Sequence, residues 1–92
     1  MAALDLLGRR WALRVLWELR DGALGPRALR DRCDGMSTGV LYTRLGELVT
    51  AGLVEQLDDD RYSLTELGAA LRSALDPLDA WARTWAAALD HG

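Results

Sequence analysis

Ninety-two residues, half of them apolar, with eleven basic and fourteen acidic side chains and a formal net charge of −3, are enough for one small domain around one core. A single cysteine excludes an internal disulfide, and with only one histidine beside it no thiolate or imidazole metal site can be assembled. The chain holds no apolar run of roughly 18 residues, no secretory leader pattern and no spaced nucleophile, base and orienting acid, so it is expected to be cytoplasmic, with no membrane partner, cofactor or enzymatic activity.

From Leu4 to Leu19 the apolar residues Leu4, Leu6, Leu7, Trp11, Leu13, Val15, Leu16 and Trp17 predict a helix that is apolar over much of its circumference and touches neighbours on two sides. Gly8 is expected to divide it into a short N-terminal turn and a helix over about Arg9–Arg20, ended by Asp21-Gly22. Leu24-Gly25 leads into Pro26, which suits the first turn of a second helix over about Pro26–Cys33, with Asp34-Gly35 as the turn. Ser37 stands at an N-cap position ahead of Val40, Leu41, Leu45, Leu48 and Val49, which describe one helical face, and Gly52 stops that helix.

Leu53 to Leu57 then reads as a strand, Asp58, Asp59 and Asp60 as a polar turn, and Arg61 to Leu64 as the returning strand. A hairpin this short is not stable alone and must pack on the helices beside it. Thr65 is a second N-cap, with Glu66 in the first turn of a helix carrying Leu67, Leu71, Ala74 and Leu75. Asp76-Pro77 either caps a further helix or kinks a continuous one; beyond it Leu78, Trp81, Trp85, Ala88 and Leu89 form another helical stripe, and His91 is read as tail. A capped helix running directly into a tight hairpin predicts a winged helix-turn-helix, mainly α with one small β-hairpin. Residues 1–92 are read as one domain: helix-turn-helix about 26–51, wing about 53–64, C-terminal helices about 65–90.

The ordered combination resembles the HxlR-type branch of bacterial winged-helix transcriptional regulators from about Leu4 to Trp81. The residues that carry it are Leu6-Leu7-Gly8-Arg9-Arg10-Trp11 with Val15-Leu16 and Leu19, Leu29-Arg30, Met36-Ser37, Val40-Leu41, Arg44-Leu45, Leu48, Ala51-Gly52-Leu53-Val54 and Tyr62-Ser63-Leu64-Thr65-Glu66-Leu67-Gly68. The resemblance implies a homodimer joined through N- and C-terminal helices, a recognition helix in the major groove and a wing against the backbone or minor groove. Three features depart from the family pattern. Pro26-Arg27-Ala28 replaces an aromatic residue and basic partner, Gly39 and Gly46 occupy recognition-helix positions that are commonly basic, and the short wing is triply acidic at its tip. Several relatives are redox sensors with a cysteine near the N-terminus, a position at which this chain has none.

The acidic total argues against strong non-specific DNA affinity, yet residues 1–54 carry eight arginines against six acids and residues 55–92 three against eight, and there is no lysine. A DNA face needs only local positive potential. With Leu41, Leu45 and Leu48 turned inward, Thr38, Gly39, Tyr42, Thr43 and Gly46 fall on or near the outer face, with Arg44 to one side. The expected DNA contacts are Arg27, Ser37, Thr38, Tyr42, Thr43, Arg44 and Arg61. Threonine hydroxyls and methyls suit phosphates and base edges, and N–H groups near Ser37 suit a phosphate. Arg30 and Arg32 either join Arg27 on the backbone or lie on a solvated face, with Arg30 paired to Asp31 or Asp34.

Trp11, Trp17, Trp81 and Trp85 are read as core and dimer interface, or as walls of a pocket for a small aromatic effector. Cys33 is read as packing under the turn, with a thiol activated by nearby arginines as the sharper alternative. The expected function is that of a homodimeric regulator, a repressor on a pseudo-palindromic double-stranded DNA site relieved by a small aromatic ligand. The alternative is a winged-helix protein-interaction or ligand-binding module with weakened or lost DNA binding, which the scarcity of base-reading side chains motivates.

Overall fold

A computed structural model describes residues 2–91, with side-chain surroundings for residues 5–90; Leu4 and His91 of the sequence reading lie outside the described side chains. The element order is α1 (Ala2–Leu7), α2 (Ala12–Glu18), α3 (Pro26–Arg32), α4 (Thr38–Thr50), β1 (Val54–Gln56), β2 (Tyr62–Leu64), α5 (Glu66–Ala74) and α6 (Asp76–His91). The expected mainly helical fold with one antiparallel hairpin is present, and its register pairs Val54 with Leu64, Glu55 with Ser63 and Gln56 with Tyr62.

Local chemistry accounts for most element ends. The Ser37 hydroxyl accepts from the Val40 N–H at 3.2 Å and opens α4. At the other end, Gly52 holds φ 79° while its N–H donates to the Val49 carbonyl and the Leu53 N–H to the Leu48 carbonyl. That bond pair is the glycine-dependent Schellman stop. The Thr65 hydroxyl accepts from the Gly68 N–H at 3.0 Å and donates to the Gly52 carbonyl at 2.6 Å, so one side chain caps α5 and fastens it to the end of α4. In the hairpin, the Asp60 N–H donates to the Leu57 carbonyl and Asp60 takes φ 67°. A three-residue loop ending in a left-handed residue requires this geometry, which aspartate tolerates better than most side chains.

The first helix differs from the expectation. The break covers Gly8 to Trp11 and α2 is confined to Ala12–Glu18, because Trp11 adopts a left-handed φ of 77° and the Ala12 N–H bonds back to the Arg9 carbonyl. Past Glu18 the Arg20 N–H reaches only the Trp17 carbonyl, a tighter turn that closes the helix early. At Asp76-Pro77 a new helix begins with Pro77 in its first turn, and the Asp79 N–H donates to the Leu75 carbonyl. The hairpin also has a neighbour that the periodicity did not suggest. Leu24 exchanges both backbone hydrogen bonds with Tyr62, at 2.9 and 2.8 Å, and covers the outer edge of β2.

The core joins Val15, Leu16 and Leu19 of α2, Leu29 of α3, Leu41, Leu45 and Leu48 of α4, and Val54 and Tyr62 of the hairpin, with Cys33 and Met36 under the turn. Each fully buried leucine contributes about 1.5–3 kcal/mol through its removal from water. Gly68 shows how tightly α5 docks: a Cβ there would stand 1.9 Å from the Leu53 carbonyl oxygen, so only glycine admits this approach. By contrast α6 leaves Leu78, Trp81, Trp85 and Leu89 exposed, with the Trp81 and Trp85 rings stacked at 5.9 Å and 6°.

Candidate nucleic-acid interface

Helices α3 and α4 meet across the Cys33 to Ser37 turn because Leu29 and Cys33 pack beneath it against Leu41 and Leu45. The outer side of this junction is a cleft of about 210 Å³ lined by Pro26, Arg27, Arg30, Thr38, Leu41 and Tyr42. Arg27 is exposed on its lip and makes no ion pair among the described residues. Arg30 crosses the junction and donates through Nη1 to Thr38 Oγ1 at 2.8 Å, so of its two readings the pairing with Asp31 or Asp34 gives way to a bond to the first residue of α4. The start of α4 thus combines a capped helix N-terminus, two guanidinium groups and a hydroxyl, a combination suited to an anion such as a phosphate.

Along the outer face of α4, Tyr42 is 50% exposed and Thr43 is exposed, its hydroxyl donating to the Gly39 carbonyl at 2.9 Å. That back-bond leaves the Thr43 oxygen as an acceptor and its methyl free to contact a base. A Cβ at Gly39 or Gly46 would meet nothing within 4 Å. The fold therefore makes no demand for glycine at either position.

Arg44 is not available to this face. Its Nε donates to the Arg10 carbonyl at 2.7 Å, its Nη1 pairs with Glu47, and its side chain keeps only 17% exposure. Arg44, expected to one side of the outer face as a DNA contact, is instead engaged within the protein by the Arg10 carbonyl and Glu47. On the wing, Arg61 Nε pairs with Asp59 at 2.6 Å while the Arg61 N–H donates to the other carboxylate oxygen at 3.2 Å. The Arg61 hydrogen bond and charge hold the Asp59 carboxyl below the usual aspartate range.

The four tryptophans do not form one pocket. Trp11 packs against the core with Arg10 over its ring, Trp17 lies under Arg20 and lines a groove of about 350 Å³ with Leu13, Leu75 and Leu78, and the Trp81 and Trp85 pair stands outside both. The idea that arginines activate Cys33 is likewise corrected. Burial pushes its thiol up, Arg14 opposes this with a smaller lowering, and Glu18 adds a smaller raising. Sequence reading also missed Arg14, which pairs with Glu18 and donates to the Arg32 carbonyl, and the partnership of Arg9 with Glu47. Of these only Arg14 and Glu18, four apart on a helix, left a signal in the sequence.

The model of the HxlR-like helix-turn-helix family matches residues 6–90. The chain belongs to the HxlR-like family. YvaP of Bacillus subtilis, an HTH-type transcriptional regulator, is 30% identical over 89 residues, covering 90% of this chain and 82% of YvaP. The quinone-bound structure of YodB from Bacillus subtilis superposes with a TM-score of 0.85 at 32% identity, covering 90% of this chain and 93% of that one. A regulator of the MarR family from Enterococcus faecalis gives the same TM-score of 0.85 at 31% identity, over 99% of this chain and 88% of its own. HxlR-like proteins are DNA-binding transcription regulators and not enzymes, and among the described residues no helix is long and apolar enough to cross a membrane.

Proposed function

We propose that this HxlR-like protein is a cytoplasmic homodimeric repressor that binds a pseudo-palindromic operator through the start of α4. The observation that carries the reading is the cleft at the α3–α4 junction, where Arg27, Arg30, Thr38 and the capped helix N-terminus surround a space of about 210 Å³. Arg27, Ser37 and Thr38 take the phosphate, and Tyr42 and Thr43 meet base edges, with Gly39 and Gly46 allowing the duplex to come close. Arg61 adds a wing contact only when a phosphate outcompetes Asp59.

The exposed Leu78, Trp81, Trp85 and Leu89 stripe of α6 supports the second protomer as its cover, since large aromatic side chains are enriched at such interfaces. For a small aromatic effector, the groove beside Trp17 offers an aromatic wall and an apolar lining. The quinone-bound state of YodB supports that ligand class.

The test is retention of genomic fragments, including the region upstream of the protein's own gene, at graded salt. Selective retention that weakens linearly in log salt is expected. The internal pairing of Arg44 and Arg61 favours a second reading, a protein-interaction module on the same scaffold, and absence of retention at low salt would select it.

A further inference from the structure

Glu47 lies in the last turn of α4 and holds two arginines. Arg44, one turn earlier on the same helix, pairs with one carboxylate oxygen, and Arg9, from the link between α1 and α2, reaches the other at 2.7 Å. Arg44 in turn donates to the Arg10 carbonyl at 2.7 Å across 34 positions of sequence. The next residue, Trp11, carries the left-handed backbone that turns α1 into α2, and the Arg10 guanidinium lies over its ring at 5.6 Å.

The link is therefore bonded to α4 through both a side chain and the backbone. Otherwise the N-terminal segment meets the core through Leu6, Leu7 and Trp11, and apolar contacts of that kind are non-directional and leave rotation open. Charge-assisted hydrogen bonds have defined geometry and remove that freedom. Glu47 keeps 26% side-chain exposure and Arg44 17%, so water screens these two less than it screens a surface pair.

We infer that Glu47 and Arg44 are positioning residues that set the angle of the recognition helix against the N-terminal segment, and that Arg44 makes no DNA contact. The inference rests on the DNA-binding, homodimeric reading above. In a dimer joined through its terminal helices, that angle fixes the separation of the two recognition helices. Half-sites one turn apart stand roughly 34 Å from centre to centre, and each inserted base pair turns one half-site by roughly 34°, so the angle becomes a preference for one spacing.

The experiment uses a duplex selected by the wild-type protein from random-sequence DNA, and a series in which the half-sites are moved one or two base pairs closer or farther apart. Wild type should lose about tenfold or more in affinity when the spacing changes by two base pairs. Glu47→Gln and Arg44→Gln should bind the parent duplex about three- to tenfold more weakly and lose less than about threefold across the series. Their salt slope should equal that of wild type, whereas Arg27→Gln, which removes a phosphate contact, should lower it by about one.

A slope lowered by about one in Arg44→Gln, or an undiminished spacing preference in folded, dimeric Glu47→Gln, overturns the inference. If Arg44→Gln does not fold, Arg9→Gln removes one arm from the more exposed side and must flatten the spacing preference in the same direction, or the inference fails. Binding by wild type with no spacing preference overturns the inference alone. No binding by wild type overturns the DNA-binding reading and the inference with it.

Discussion

Arg30 and Thr38 are joined by a 2.8 Å hydrogen bond that links the last turn of α3 to the first residue of α4. The guanidinium is thereby held beside the positive end of α4, an unfavourable arrangement for the isolated helix and a favourable one for an arriving anion. Arg30→Gln should change folding stability by less than about 1 kcal/mol, because the bond is exposed. It should weaken DNA binding and lower the log-salt slope by about one. Thr38→Val should weaken binding and leave the slope unchanged. Paired urea melts and salt-dependent binding titrations check both.

Gly39 and Gly46 occupy open space on α4. Alanine at either position should raise stability by up to about 1 kcal/mol, since glycine weakens a helix interior by that amount. If the glycines give the duplex room to approach, the same variants should bind DNA less well. Thermal melts and binding curves on one protein sample read the two effects in opposite directions. A fall in melting temperature in either variant would contradict the first expectation.

Gly68 is the opposite case. A Cβ would lie 1.9 Å from the Leu53 carbonyl oxygen and 2.9 Å from its carbon, both backbone atoms that cannot swing aside. Gly68→Ala should therefore destabilise the protein by at least about 2 kcal/mol. The urea midpoint relative to the Gly46→Ala variant measures this difference between two glycines of one chain.

The Asp59 carboxyl is held below the ordinary aspartate value by Arg61. A depressed folded value means that the Asp59–Arg61 pair is complete above the unfolded pKa of about 3.9 and is lost as pH falls through the lower folded value. Carbon-detected NMR titration should give a midpoint for Asp59 that moves up in Arg61→Gln. An unchanged midpoint would show that the pair is not formed in solution. At neutral pH, Asp59→Asn should free Arg61 and raise DNA affinity together with the salt slope.

Trp81 and Trp85 stack at 59% and 54% exposure, on a stripe that continues from Leu78 to Leu89. Replacing both tryptophans with alanine should shift the protein from dimer to monomer at micromolar concentration without unfolding it, because neither ring belongs to the core. Sedimentation equilibrium separates that outcome from an unchanged dimer, which would move the interface elsewhere.

Much of the fold was readable in the chain because its signals are local. Ser37 and Thr65 cap the helices that they precede, Gly52 stops α4, Pro26 begins α3, and three aspartates turn the hairpin. Each acts within a few residues, so spacing reveals it. Misjudged features came from partners far apart in sequence. Leu24 joins the hairpin through bonds to Tyr62, and α2 starts at Ala12 and not at the expected Arg9 because Trp11 turns the chain.

The sequence by itself determined the order of the helix-turn-helix and the hairpin and the inward face of α4, since these follow from caps, glycines and apolar period, and its ordered motifs resembled the HxlR-type regulators. Only the tertiary structure decided which arginines face outward. Arg27 is exposed on the cleft, Arg30 is tied to Thr38, Arg61 to Asp59, and Arg44 to Glu47 and the Arg10 carbonyl. A guanidinium on a flexible stem takes whichever acceptor the folded chain brings within reach, and for Arg44 that acceptor is 34 residues away.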